Sequence, residues 1–143
     1  MDLLILEDNE DDIFLIQAAI KEVSNGMEIV FARNVEEANS LLTQAIADRT
    51  LPKACLVDLR IEGGVSGFEF LENVRSNPEA KLIPLVVFSS SDYVVDIETA
   101  YRKGANSYLV KPFSFSALVE LVKSFEDYWM RQNNLPPAFR GES

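Results

Sequence analysis

Four short apolar stretches each run straight into a side chain that could do chemistry. "LLIL" is followed by Glu7 and Asp8, "ACLV" by Asp58, "LVVF" by Ser89, and "SYLV" by Lys111 and Pro112. Each feature alone is ordinary. An acid after a strand is usually a helix cap or a solvated turn, a serine there is usually a cap, and a lysine before a proline is normally a surface charge. Together, three acids, a hydroxyl and an ammonium at four matching points of one chain form a constellation. Clustered carboxylates raise one another's pKa unless a cation neutralises them. Mg²⁺ suits such a set, because it is a hard ion that prefers oxygen, takes few protein ligands and keeps exchangeable waters.

The elements that must position these groups are legible from periodicity. Strand-like runs cover Leu3 to Leu6, Glu28 to Ala32, Ala54 to Val57, Leu85 to Phe88, and Ser107 to Val110. Between them, Ile13, Ile16, Ile20 and Val23, then Val35, Ala38, Leu41, Leu42 and Ala45, recur at helical spacing. Phe68, Leu71 and Val74 give a third helix, and Val94, Ile97 and Tyr101 a fourth, ending near Gly104 as a C-cap. A fifth, capped by Ser114, carries Phe115, Leu118, Val122, Phe125 and Trp129. Asn34 with Glu37, and Ser66 with Glu69, have the capping-box spacing. Strict β-α alternation predicts a doubly wound α/β domain built on a five-stranded parallel sheet. In such a sheet, sites form beyond the carboxyl ends of the strands. Asp58 ends its strand at that rim.

Composition narrows the function. The chain has 143 residues, enough for one domain with its own core, and a formal net charge of −10 that disfavours direct binding to nucleic acid. The one cysteine, Cys55, excludes an intramolecular disulfide and reads as a small buried apolar residue. Histidine is absent, which removes histidine triads and histidine-ligated metals. The N-terminus lacks a signal-peptide pattern and no run is long enough to span a membrane, so a cytoplasmic protein is expected.

At this point the chain resembles the receiver domains of two-component response regulators, over about residues 2 to 125. The resemblance rests on Glu7-Asp8, Asp58, Ser89, Tyr108 three residues before the lysine, and Lys111-Pro112. It implies a (βα)5 flavodoxin-like receiver fold with strand order 2-1-3-4-5. It implies that Asp58 accepts a phosphoryl group from a sensor histidine kinase, with Lys111 and Ser89 contacting that group. Glu7, Asp8, Asp58 and the backbone carbonyl of Arg60 would hold Mg²⁺, Ser89 and Tyr108 would form the switch, and Lys111-Pro112 is often cis in the family. "LEDNEDDIFLIQAAIKE", "ANSYLVKPFSF" and "DYWMRQNNLPP" are further similar to the small single-domain regulators of phytochrome-type kinases, which implies a bacterial phytochrome as partner.

The sequence also departs from the family. The usual proline four residues after the acceptor and glycine eight after it are Glu62 and Ser66, with Gly67 one place late, so the "EGGVSG" loop reads as longer and more flexible. A pure interaction module that is never phosphorylated is the alternative, but no acid, hydroxyl or lysine is lost. A mononucleotide binder is disfavoured because "EDNEDD" repels phosphate. A phosphatase of the haloacid dehalogenase type needs a second aspartate where Arg60 stands. The domain reading is a receiver over 1-125, not an enzyme, with a helix extension and proline-containing arm over 126-143. That arm is too short for a DNA-binding unit, so output goes through protein contacts. Its apolar residues Tyr128, Trp129, Leu135 and Phe139 are the expected interface of a homodimer.

Overall fold

The structure, a computed structural model, describes residues 1–23, 26–61 and 66–140. Strands β1 (Leu3–Leu6), β2 (Ile29–Ala32), β3 (Ala54–Val57), β4 (Leu85–Ser89) and β5 (Ser107–Val110) alternate with helices α1 (Glu10–Val23), α2 (Val35–Asp48), α3 (Gly67–Ser76), α4 (Val94–Arg102) and α5 (Phe115–Phe125). The strands form one parallel sheet in the order β2-β1-β3-β4-β5. The expected order and class are those found.

Alternation along each strand divides the core in two. Leu4, Leu6, Cys55, Val57, Leu85 and Val87 face a layer containing Leu42 of α2, Leu71 and Val74 of α3, and Ala100 of α4. Leu3, Ile5, Leu56, Val86 and Phe88 face Ile16 and Ile20 of α1 and Leu118 and Phe125 of α5. The central strands β1, β3 and β4 are wholly buried, which is why their sequences are continuous apolar runs.

The start signals work in two of three cases. The Asn34 side chain accepts from Glu37 N–H at 2.7 Å, and Ser114 Oγ accepts from Ala117 N–H at 3.1 Å. Ser66 occupies the cap position of α3 but its side chain makes no cap bond; Glu69 N–H turns instead to the Ser66 carbonyl at 3.1 Å. Gly104 follows the end of α4 with φ +107°. A side chain there would strike Arg75, whose guanidinium donates to the carbonyls of Gly104, Lys81 and Ile83 and to Asn106 Oδ1, all at 2.8–2.9 Å.

Two expectations change. Periodicity assigns Val94, Ile97 and Tyr101 to the buried face of the fourth helix, but its buried residues are Asp96 and Ala100, while Val94 and Tyr101 point outward. Ala100 presents the small surface that lets a short helix lie close to the sheet edge, and Asp96 turns inward to polar partners described below. At the C-terminus, α5 continues as a π-helical stretch, Glu126–Gln132, and a 3₁₀ turn covers Pro137–Arg140. Trp129 packs on the α1–α5 layer, and Phe139 on the opposite one. Much of the arm's apolar surface is therefore used within the chain. Leu135 is half-buried and Tyr128 remains exposed, stacked edge-on against Trp129.

Candidate functional site

The register places the predicted residues at one rim. Leu6 lies beside Val57 and Ala32, and Ser89 beside Val110. The next residues leave the strands still tethered: Glu7 N–H donates to Ala32 O at 2.9 Å, Asp58 N–H to Leu6 O at 3.0 Å, and Lys111 N–H to Ser89 O at 2.8 Å. The reversal of strand order falls between β1 and β3, so Glu7 and Asp58 flank the point where an open α/β sheet forms its cleft. That cleft has a volume of about 410 Å³ and is lined by Glu7, Asp8, Asp12, Asp58, Arg60 and Lys111 among others.

Lys111 is the hub. Its Nζ donates to Glu7 Oε2 at 2.9 Å, Asp12 Oδ2 at 2.8 Å and Asp58 Oδ2 at 2.9 Å, and lies 5.8 Å from the centre of the Phe88 ring. Burial alone would lower the lysine pKa. The hydrogen bonds that the ammonium donates to Asp12, Asp58 and Glu7, with the charge of Asp58, outweigh it and hold the ammonium above the ordinary lysine range. Glu7, only 1% exposed, is pushed up to about 8 by burial first and by the neighbouring Asp58 second. The two shifts look contradictory for ion-pair partners. They are reconciled by numbers: one ammonium is shared by three carboxylates, and the most buried of the three has the greatest desolvation cost.

Asp12 joins the cleft without being among the residues that the strand ends point to. The signal was present, since Asn9 caps α1 by accepting from Asp12 N–H at 2.9 Å, which puts Asp12 on the first turn, facing back toward the strand ends. Glu7, Asp12 and Asp58 each offer an oxygen within 4.8 Å of the others, and among the described residues they form the acidic group able to hold a cation. A cation entering here displaces the proton that burial favours on Glu7, and the three carboxylates then exceed the one lysine by two negative charges. A divalent oxygen-seeking ion fits that donor set. Asp8 lines the same cleft.

The described residues that follow Asp58, on either side of 62–65, are held in place. Leu59 and Ile61 are buried in the core, and Gly67 N–H donates to Leu59 O at 3.2 Å. A Cβ on Gly67 would lie 2.0 Å from the Asp58 carbonyl oxygen, so this close approach requires glycine at the position one place later than the family pattern. The expected length and flexibility of the "EGGVSG" loop concern residues 62–65, which lie outside the described residues. Arg60 donates its N–H to Asp58 Oδ1 at 3.2 Å while its guanidinium reaches Asp96 Oδ2 at 2.8 Å. Ser89 is fully buried, and its Oγ accepts from Ser91 N–H at 3.2 Å. Tyr108 donates its hydroxyl to the Ser91 carbonyl at 2.8 Å, so the ring is turned inward. The described residues contain no cis peptide bond, so Lys111–Pro112 is trans, unlike the cis form the resemblance suggested.

A doubly wound (βα)5 domain with acids, a hydroxyl and a lysine converging on the β1/β3 rim is the architecture of a receiver domain. The chain belongs to the response regulator receiver domain family, whose model matches residues 3–123. Among similar proteins, the probable methanogenesis regulatory protein FilR2 of Methanothrix harundinacea is 33% identical, over 94% of this chain and 86% of its own. Response regulator Rcp1 of Synechocystis sp. is 29% identical, over 95% and 93%. The solved structure of the phosphorylated cyanobacterial phytochrome response regulator RcpA superposes with a TM-score of 0.84 at 34% identity, covering 94% of this chain and 96% of that one. The Mn²⁺-bound form of Rcp1 superposes with a TM-score of 0.81 at 29% identity, over 94% and 97%.

Proposed function

We propose that this receiver takes a phosphoryl group from a sensor histidine kinase onto Asp58 and signals through protein contacts. The observation that carries the reading is the Lys111 ammonium held by Glu7, Asp12 and Asp58 at one cleft. In the transfer, an Asp58 carboxylate oxygen attacks the phosphorus of a phosphohistidine, which must belong to another molecule because this chain has no histidine. The phosphorus–nitrogen bond breaks, its electron pair leaves with the imidazole, and an acyl phosphate remains on Asp58.

Position and charge neutralisation are what such a transfer needs from a protein. Glu7, Asp12 and Asp58, with Asp8 on the same wall, would hold Mg²⁺, and the Arg60 carbonyl is a further oxygen for it. When bound, Mg²⁺ supplies neutralisation of the carboxylates and the phosphoryl oxygens. Lys111, freed from part of its carboxylate load, pairs with the phosphoryl group. Ser89 Oγ donates to a phosphoryl oxygen, and Tyr108 follows the rearranged Ser91 backbone. The chain itself turns over no external substrate.

The likeness to RcpA and Rcp1 supports a phytochrome-type kinase as donor. Among the described residues no helix is long and apolar enough to cross a membrane, which accords with a cytoplasmic location. Output through a homodimer is supported by apolar side chains left open at α4, β5 and the start of α5, namely Tyr93, Val94, Val95, Val110 and Phe113, with Tyr128 further along. The net charge of −10 argues against direct contact with nucleic acid.

Incubation with Mg²⁺ and acetyl phosphate should add one base-labile phosphoryl group, read by intact mass, and Asp58→Asn should abolish it. Equal modification of the variant would overturn the assignment.

A further inference from the structure

Arg60 sits where the acceptor loop leaves the cleft, and its side chain spans to α4 rather than to the acidic cluster beside it. Asp96, on the first turn of α4, is buried, and its Oδ2 receives both Arg60 Nη2 at 2.8 Å and Ser91 Oγ at 2.6 Å. Ser91 Oγ accepts from Tyr93 N–H at 3.2 Å, Ser91 N–H donates to Ser89 Oγ, and the Ser91 carbonyl accepts from Tyr108. One continuous set of hydrogen bonds therefore runs from the residue two places after Asp58, through α4 and the β4–α4 turn, to the buried serine and the inward tyrosine.

The two ends of the ion pair differ in a way that suits release. The Asp96 side chain is 11% exposed, so its charge depends on fixed partners, whereas the Arg60 side chain is 66% exposed and leaves at little cost in desolvation. Tyr93, the cap residue of α4, makes no side-chain cap bond, so Asp96 and Ser91 do the work of fixing that helix end.

We infer that Arg60 and Asp96 form a latch that holds the first turn of α4 and the β4–α4 turn in the unphosphorylated arrangement, and that a phosphoryl group on Asp58 opens it by drawing the Arg60 guanidinium away from Asp96. A phosphoryl group presents more charge and more acceptor oxygens than the Asp96 carboxylate, and a guanidinium binds such an anion through paired donors. Arg60 and Asp96 act as positioning residues: they set where Ser91, Ser89 and Tyr108 rest before the reaction. The release step depends on Asp58 being the acceptor; the latch itself does not.

The test uses the full chain in two arms. In the first, on unmodified protein, hydrogen exchange by mass spectrometry follows residues 94–99, and ¹⁹F NMR of fluorotyrosine-labelled protein follows Tyr108, assigned with Tyr108→Phe. Arg60→Ala and Asp96→Asn should each speed exchange about three- to fivefold, the range of one partly exposed ion pair, and the double variant should add nothing further. Both should shift the Tyr108 signal in the same direction. Single variants that exchange like wild type, or a double variant whose effect is the sum of the two, overturn the latch.

The second arm adds Mg²⁺ and acetyl phosphate, with the extent of modification read by intact mass. Phosphorylated wild type should exchange at 94–99 as fast as unmodified Arg60→Ala, and phosphorylated Arg60→Ala should gain no more. A wild type that is modified yet keeps its protection overturns the release step. A wild type that takes no phosphate overturns the acceptor reading and the release with it, while the first arm still decides the latch.

Discussion

Helices α1 and α4 carry similar apolar residues and use them in opposite ways. α1 buries Ile16, Ala19 and Ile20 against the sheet and α5, and Ile13 is buried as well. α4 buries Asp96 and Ala100, while Val94 and Val95 are 68% and 73% exposed, as is Tyr93 just before them at 70%. The first helix is fixed by apolar area, which is non-directional and hard to undo piecemeal. The other is fixed at its start by a few directional hydrogen bonds, which a change of charge can redistribute. A receiver needs both kinds of anchoring: one side must stay still so that movement on the other has meaning.

Core substitutions separate the two helices by the largest margin. Phe125→Ala or Ile16→Ala should cost about 3–5 kcal/mol of unfolding free energy in urea titration, because each leaves a cavity in the α1–α5 layer. Val94→Ala on α4 should stay within about 0.5 kcal/mol of wild type, since its side chain is already in water. Similar losses for both would mean that α4 is packed as firmly as α1.

At the cleft, Lys111→Met removes the shared cation. Removing the ammonium leaves three carboxylates facing one another, a loss of about 3 kcal/mol in the absence of divalent ions. Lysine and Mg²⁺ compete for the same oxygens, so the variant should bind Mg²⁺ about tenfold tighter by calorimetry and recover stability as it does. Unchanged or weaker Mg²⁺ binding would refute that competition.

Gly67→Ala should cost about 1–3 kcal/mol and slow phosphorylation by acetyl phosphate, because a Cβ 2.0 Å from the Asp58 carbonyl must displace the acceptor loop. Wild-type stability and rate together would show that the loop yields freely. The smallest effect on folding belongs to Phe113→Ser: a fully exposed ring changes unfolding by less than about 0.5 kcal/mol. Its effect should appear instead as weaker self-association in analytical ultracentrifugation of the phosphorylated protein.

How far the sequence could be read follows the same division. Strands β1, β3, β4 and β5 were visible because short apolar runs that end on Glu7, Asp58, Ser89 and Lys111, with a helical period between each, suit a parallel sheet and little else. β2 was legible to within a residue, and Glu28 proved to lie just before it. The sequence does not single out Asp12, because an acid on the first turn of a helix is stabilised by the helix dipole whether or not it turns toward a site. The burial of Asp96 in place of Val94 was also hidden. Helical periodicity reports which residues could be buried, and a nine-residue helix at the sheet edge leaves that choice to its partners. Phe139 illustrates the same limit: an aromatic in a proline-containing tail suits an interface and a fold-back equally, and only its place on the core distinguishes them.

The Arg75 clamp at the far end of α4 has a mechanical consequence. Four bonds from one guanidinium hold Gly104 and Asn106 to the α3–β4 connection, and Lys103 pairs with Glu72 of α3. The C-terminal end of α4 is thus a fulcrum, and the helix is a lever about 13 Å long at 1.5 Å per residue. A rotation of about 10° about that point moves the Val94 end by roughly 2 Å, more than half the length of a hydrogen bond, while Gly104 stays in place.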